Sequence, residues 1–195
     1  MKLFLLRHED RTQDCSFFSP LTVLGLDNAK QLAPLLKKYN IDLIFSSPFI
    51  RTLQTVYPYV KESGVKINVE YSLCELHHQD IIAKQSAGIY LPEYIAQAFN
   101  YNPSYKSLIE PLDIKYPETE GNVKERTKQF IKHLLMNYHN TDYNILIVTH
   151  QSICFNIIEP IKKILPSIDI DEYEKGKLTQ IFDNYNWVYE EINKI

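Results

Sequence analysis

Three short runs of apolar residues constrain the fold of this chain more than any other feature of its sequence. Residues 3–6 (LFLL), 43–45 (LIF) and 145–148 (ILIV) are apolar at every position and are too short to be helices of ordinary length. A strand with one face in water alternates polar and apolar side chains, so a continuous apolar run indicates a strand that is buried on both faces. Strands of this kind are typical of parallel sheets covered by helices on each side.

Helix start and stop signals stand between these runs. Thr22 is a candidate N-cap for a helix whose apolar side chains recur at roughly helical spacing between Leu24 and Leu36. Ser47 followed by Pro48 predicts the start of a second helix, with the serine as N-cap, and Gly64 is a good stop for that helix.

The rest of the chain completes the predicted organisation. Residues 119–138 and 152–164 predict two further helices, residues 66–71 alternate as a strand would, and the apolar stretch 179–192 predicts one or two closing strands. Residues 77–117 contain four prolines among tyrosines and asparagines, which favours an insertion or cap lying over one face of the sheet. We therefore expect a single domain over the 195 residues, with a three-layer α/β/α fold and a mostly parallel central sheet.

Composition argues against several functional classes. The formal net charge of −3 gives no global electrostatic reason to expect nucleic acid or an anionic membrane as a partner. No segment approaches the roughly 18–20 consecutive apolar residues of a membrane span, and the short apolar run at the N-terminus is no secretory signal. Three cysteines without paired or metal-ligand spacing are expected to be reduced thiols, which favours the cytoplasm.

Polar side chains follow the predicted strands where a parallel sheet binds its ligands, beyond the carboxyl ends. Arg7 and His8 follow the first strand, Arg51 comes shortly after the second, Glu75 follows the 66–71 strand, and His150 follows the last of the apolar runs. This set suits phosphoryl transfer through histidine, because a neutral imidazole is a competent nucleophile and guanidinium groups grip phosphate oxygens bidentately. A second histidine can donate to the same oxygens, and a glutamate can protonate the leaving alkoxide.

The motifs that carry these residues resemble those of the histidine phosphatase (phosphoglycerate mutase-like) superfamily. The family's opening R-H-G corresponds to Arg7-His8-Glu9, and its P-L-T-x-x-G block corresponds to residues 20–25. The other matches are D-x-I-x-S-S-P-x-x-R-x-x-Q-T at residues 42–55, L-x-E at Leu73 to Glu75, an acid and arginine eight apart at Glu118 and Arg126, and V-T-H at Val148 to His150. The resemblance implies that His8 is the phosphorylated nucleophile, that Arg7, Arg51 and His150 clamp the phosphate, and that Glu75 donates the proton, with no metal or other cofactor.

Two departures from the family pattern concern the site. Glu9 and Gln151 replace the glycines that follow the two histidines, and each puts a larger side chain where the family keeps backbone close to the phosphate. Glu9 is expected to weaken substrate binding unless it points away or pairs with Arg11, and Glu9 or Glu118 could replace Glu75 as the proton donor. His77 and His78 lack a metal-ligand spacing such as H-E-x-x-H, so we expect them at the surface.

The sequence therefore favours a metal-independent phosphomonoester hydrolase that acts on a phosphorylated small molecule or a phosphoprotein. The alternative belongs to a different functional class: a weakly active or inactive family member that binds a phosphorylated ligand or a protein partner. A phosphoglycerate mutase is less favoured, because those enzymes carry E-R-H-Y-G where this chain has E-L-H-H-Q at residues 75–79. The sequence leaves the substrate and the oligomeric state open.

Overall fold

The computed structural model describes residues 1–138, 140–164 and 188–193, and its centre is a five-stranded sheet. The strand order is β3-β2-β4-β1-β5, in which the first four strands run parallel and β5 is antiparallel to β1. The strands are β1 Lys2–Arg7, β2 Leu43–Ser46, β3 Ile67–Val69, β4 Asn144–Thr149 and β5 Val188–Asn193. The mostly parallel sheet predicted from the apolar runs is confirmed.

Helices cover both faces of this sheet, as the three-layer prediction requires. On one face they are α1 Val23–Lys37 and α2 Ile50–Ser63, and on the other they are α4 Glu120–Tyr138 and α5 Gln151–Ile164. The short helix α3 spans Glu93–Ala98. None of the helices in the described part of the chain combines the length and the apolar character that crossing a membrane requires.

Alternate side chains of each strand enter two separate cores, which explains why the strands are apolar throughout. On one face, Phe4 and Leu6 of β1 pack with Leu146 of β4 against α1 and α2. On the other face, Leu5 of β1 and Ile147 of β4 pack against α4 and α5. A leucine-to-alanine change in such a core costs about 2–5 kcal/mol.

The local start signals were right for α1 and wrong for α2. The hydroxyl of Thr22 accepts the amide of Gly25 at 3.1 Å, so Thr22 caps α1 as predicted. The second helix begins at Ile50 with Phe49 as its N-cap residue, whereas Ser47 was expected to cap it. The Ser47 hydroxyl lies 2.9 Å from His150 Nε2, so it serves a contact across the sheet edge that the local pattern does not reveal.

The third strand is shorter than predicted. It ends at Val69, and the chain turns into a 3₁₀ helix over Tyr71–Leu73 because the Glu70 carboxylate accepts the amide of Ser72 at 2.8 Å. The predicted closing strand is present as β5, while residues 179–187 lie outside the described residues.

Residues 77–117 form mainly irregular chain around α3 and two 3₁₀ turns. Ile82 and Ile114 from this segment pack in one apolar cluster with Phe17 and Phe49, beside the carboxyl ends of the strands. The assignment of this segment as a cap on a single domain stays a prediction.

Candidate active site

The register of the parallel strands brings three chain segments together at the carboxyl edge of the sheet. Arg7 at the end of β1 is level with Thr149 at the end of β4, and the amide of His8 donates to the Thr149 carbonyl at 2.9 Å. On the other side of β4, the amide of Ser47 donates to the Val148 carbonyl at 3.0 Å. The residues that follow β1, β2 and β4 are therefore fixed by ladder hydrogen bonds that continue past the strand ends.

His8 is held as a neutral imidazole that keeps the lone pair of electrons on one nitrogen. Its Nδ1 lies 2.7 Å from the carbonyl of Glu9. A carbonyl can only accept, so Nδ1 carries the hydrogen and the lone pair is on Nε2. Burial, together with the positive charges of Arg51 and Arg7, keeps the pKa of His8 well below its usual value of 6.5. An uncharged Nε2 at neutral pH can attack phosphorus.

His150 faces His8 and offers a nitrogen that makes no hydrogen bond within the described part of the chain. The two rings meet edge to face with their centroids 5.2 Å apart, and His150 Nε2 lies 2.9 Å from the Ser47 hydroxyl. Its Nδ1 is buried without a hydrogen bond and lies 3.6 Å from Glu75 Oε2. Burial and the charge of Arg51 hold the pKa of His150 well below the usual histidine value. Because buried polar atoms are normally paired, an orphaned nitrogen here indicates a place for a ligand.

Arg51 supplies a fixed positive charge beside the two histidines. The side chain is 1% exposed, lies with its guanidinium carbon 4.5 Å from the centre of the Phe49 ring, and donates from Nη1 to the Ser16 carbonyl at 2.9 Å. Its Nε is buried and has no hydrogen bond to the described residues. Burial lowers the pKa of Arg51 to about 10, so the group remains charged at neutral pH. A buried charged guanidinium with a free N–H is matched by an anion such as phosphate.

Glu75 brings a carboxylate to the same place from the loop after β3. Its Oε1 accepts the amide of Leu76 at 3.0 Å and the hydroxyl of Ser152, which leaves Oε2 towards His150. The negative charge of Glu75 acts on Arg7 and on Arg51, raising the pKa of each against the larger lowering by burial. The predicted residues Arg7, His8, Arg51, Glu75 and His150 are thus brought together.

A buried ion pair anchors the loop that carries Glu75. Arg126 on α4 donates to the two oxygens of Glu118 at 2.7 and 3.0 Å, and to the Ser72 carbonyl at 2.6 Å. Glu118 also accepts the amide of His77 at 3.1 Å. Both carboxylate oxygens of Glu118 are therefore occupied, which removes support for Glu118 as an alternative proton donor.

The side chains that replace the two family glycines do not occupy the space between the histidines. Glu9 is buried, and its Oε2 accepts the side-chain amide of Asn28 on α1 at 3.2 Å. Gln151 is the first residue of α5, and its side chain is exposed.

Two motif residues position the loop after His8. The Thr55 hydroxyl accepts the amide of Glu9 at 2.9 Å, and Gln54 Oε1 accepts the amide of Leu21 at 2.8 Å. Gly25 is required because a Cβ at this position would lie 2.1 Å from the Asp10 carbonyl oxygen. The contacts of Thr55 and Gln54 hold the loop between β1 and α1 on α2, and the close approach at Gly25 packs the same loop against α1.

Three side chains of the site also have the composition of a metal site. One ligating atom each from His8, Glu75 and His150 lies within 4.8 Å of the others, and two histidines with a glutamate are a known catalytic zinc set. The charge of Arg51, however, acts on both histidines and would repel a divalent cation as it attracts an anion. The donor set therefore fits a phosphate oxyanion better than a metal ion.

The sequence missed several residues that shape the site. Ser47 was expected to cap a helix, and Ser152 carried no signal beyond its place in the first turn after a buried strand. His77 was expected at the surface but is 2% exposed, with Nδ1 2.8 Å from the Glu75 carbonyl. The contacts of Ser47 and Ser152 join residues from different elements, so no local pattern predicts them.

Comparisons with known proteins bear on the family and the fold of this chain. A family model described as the histidine phosphatase superfamily (branch 1) matches residues 6–174. A 2,3-bisphosphoglycerate-dependent phosphoglycerate mutase from Methanococcus vannielii is 32% identical over 110 residues, which are 56% of this chain. That match covers 43% of the mutase, so the chain spans less than half the length of this curated relative.

Solved structures share the fold at low sequence identity. The ecdysone phosphate phosphatase from Bombix mori, in complex with tungstate, aligns with a TM-score of 0.66 at 15% identity, over 84% of this chain and 78% of that chain. A mycobacterial glucosyl-3-phosphoglycerate phosphatase in complex with VO3 aligns with a TM-score of 0.59 at 20% identity, over 84% and 82% of the two chains. Since the family model covers most of the sequence and the fold agrees, this chain belongs to the histidine phosphatase superfamily (branch 1).

Proposed function

We propose that the protein is a metal-independent phosphomonoester hydrolase that works through a phosphohistidine at His8. The observation that carries this proposal is the neutral His8, whose free Nε2 lies beside the buried charge of Arg51 and the unpaired Nδ1 of His150. Apart from the bond to His8, the protein needs only to position the substrate and to neutralise its charge, because phosphoryl transfer depends mainly on these two effects.

In the first step, His8 Nε2 forms a bond to phosphorus while the ester P–O bond breaks. Arg7, Arg51 and His150 bind the non-bridging oxygens, and Glu75 gives its proton to the departing alkoxide. In the second step, a water molecule attacks the phosphohistidine, loses a proton to Glu75, and releases inorganic phosphate with His8 regenerated. Glu75 is protonated again at the end, so each turnover consumes one water and one ester.

We propose a phosphorylated small molecule or a phosphoprotein as the substrate and residues 77–117 as a cap beside the phosphate site. The apolar cluster that joins Ile82 and Ile114 of this segment to Phe17 and Phe49 supports the cap. The Bombix mori and mycobacterial neighbours are named as phosphatases of phosphorylated small molecules, and this supports the first substrate class.

The test is turnover of phosphate monoesters by the purified protein, followed by trapping of the intermediate. We expect wild type to release phosphate, and a rapid quench without acid to show a phosphoramidate on His8 that is labile to acid and stable to base. His8→Ala should lose essentially all turnover, because no other group replaces a positioned nucleophile. Residual activity above about a thousandth of wild type would refute the mechanism.

Two other outcomes would assign a different function. Binding of phosphate or vanadate by a wild-type protein that turns over no ester would identify a non-catalytic binder. Transfer of the phosphoryl group to a second hydroxyl of a phosphoglycerate, in place of release to water, would identify a mutase like the Methanococcus vannielii relative.

A further inference from the structure

We infer that Ser152 is a positioning residue for the proton donor: its hydroxyl fixes one oxygen of the Glu75 carboxylate and so reserves the other oxygen for the proton that is transferred. This inference rests on the proposed function, because it assigns a partner to the acid of that reaction.

The two oxygens of Glu75 have different surroundings. Oε1 accepts two hydrogen bonds, from the Ser152 hydroxyl and from the amide of Leu76 at 3.0 Å. Oε2 has no hydrogen bond to any of the described residues, and it lies 3.6 Å from His150 Nδ1. The carboxylate is therefore held at one oxygen and open at the other.

This asymmetry determines where a proton on Glu75 resides. A proton on Oε1 would meet the backbone N–H of Leu76, which can only donate, so the proton is favoured on Oε2. Glu75 contributes one oxygen to the group, with His8 and His150, whose ligating atoms lie within 4.8 Å of one another, and this is where a phosphorus atom bound to His8 would be. When the ester bond breaks, the O–H bond at Oε2 breaks with it and the alkoxide takes the proton; in the second step the attacking water returns a proton to the same oxygen.

Ser152 acts on the carboxylate and leaves the loop itself held by other contacts. The Thr149 hydroxyl ties the carbonyl of Leu73 to the end of β4 at 2.7 Å, and Arg126 holds the carbonyl of Ser72 at 2.6 Å. These contacts remain when the Ser152 hydroxyl is removed. Loss of that hydroxyl should therefore free the carboxylate to rotate without releasing the backbone.

The test compares Ser152→Ala with wild type on two substrates that differ in their need for an acid. Ethyl phosphate expels a basic alkoxide, whereas 4-nitrophenyl phosphate expels a stable phenolate that hardly needs a proton. For Ser152→Ala we expect kcat/KM on ethyl phosphate, which reports formation of the phosphohistidine and not its hydrolysis, to fall about 10- to 100-fold, as for loss of one hydrogen bond to a charged group. On 4-nitrophenyl phosphate the loss of kcat/KM should be less than about threefold if leaving-group protonation is the affected step.

Three comparisons separate positioning from a structural effect. Ser152→Thr keeps the hydroxyl and should recover most of the ethyl phosphate activity, and Ser63→Ala removes an exposed hydroxyl at the end of α2 and should change nothing. In a Glu75→Gln background, adding Ser152→Ala should cause little further loss, because the hydroxyl acts through the carboxylate. If Ser152→Ala does not fold, Ser152→Cys carries the same comparison with a weaker donor.

Equal losses on both substrates, no recovery with threonine, or losses that multiply in the Glu75→Gln background would each overturn the role of Ser152 while leaving the phosphatase activity in place. A wild-type protein that hydrolyses neither ester would instead overturn the proposed function, and this inference with it.

Discussion

Replacing Arg126 with methionine should lower the free energy of unfolding by about 3–5 kcal/mol, as for other buried ion pairs that lose one partner. The arginine and Glu118 side chains are 7% and 1% exposed, and they are joined by hydrogen bonds of 2.7 and 3.0 Å. Methionine fills a similar volume but leaves the carboxylate away from water with only the amide of His77, at 3.1 Å, as a donor. It also leaves the Ser72 carbonyl without the guanidinium bond of 2.6 Å.

Urea unfolding monitored by circular dichroism measures this loss directly. Thermal unfolding gives a second measure. For a chain of this size, each kcal/mol of lost stability lowers Tm by about 2–4 °C, so we expect Tm to fall by roughly 6–20 °C. The matched control is Lys30→Met, which breaks an exposed pair with Asp27 at 2.9 Å and should cost less than about 1 kcal/mol. Glu118→Gln keeps an acceptor for His77 and should give an intermediate loss that remains measurable if Arg126→Met does not fold. A loss from Arg126→Met no larger than that from Lys30→Met would refute the buried-pair argument.

Other predictions concern the phosphate site. Arg51→Lys should lower kcat/KM about 10- to 100-fold, because a point charge cannot reproduce the guanidinium fork; unchanged kinetics would show that Arg51 does not bind the substrate. Activity should survive excess chelator, and its loss with recovery on adding a divalent ion would favour the metal interpretation of His8, Glu75 and His150. Burial lowers the pKa of both histidines, so His8 should remain unprotonated below pH 6.5. The decline of kcat/KM with added acid should therefore have its midpoint at a pH lower than 6.5. The same shifts affect stability: below pH 6.5 the unfolded chain binds protons that the folded protein does not, so the unfolding free energy should fall from pH 7 downwards, and His8→Asn should reduce that slope in urea titrations.

Two kinds of feature could be predicted from the sequence. One is a strand that is buried at every residue, and the other is a helix end that is set by a local hydrogen bond. The run at 145–148 predicted β4 because every residue of a strand covered on both faces must be apolar, and Thr22 predicted the start of α1 because a cap is a local hydrogen bond. The strand ends then predicted that Arg7, His8 and His150 would meet, since parallel strands finish at one edge. This convergence needed no knowledge of side-chain contacts.

What the sequence did not predict depends on partners that are distant along the chain. Ser47 satisfied the rules for a helix cap, but its hydroxyl contacts His150, which is 103 residues away. The donors that orient Glu75 include Ser152, which is 77 residues away, and neither serine differs in sequence from an ordinary exposed one. The role of each serine depends on a contact with a residue from another helix, strand or loop, and such contacts are known only from the folded structure.

The position of β1 inside the sheet has a consequence for the order in which parts of the site open. This strand is hydrogen-bonded on one side to β4 and on the other to β5, and His8 follows its last residue. Amides in such a strand exchange with solvent chiefly through unfolding of the whole domain, whereas an irregular loop opens by itself at a much lower free energy. We therefore expect hydrogen–deuterium exchange to be slow at Leu5 and Leu6 and faster at the exposed turn residues Gln13 and Asp14, so that the nucleophile stays in place when the turn beyond it opens locally.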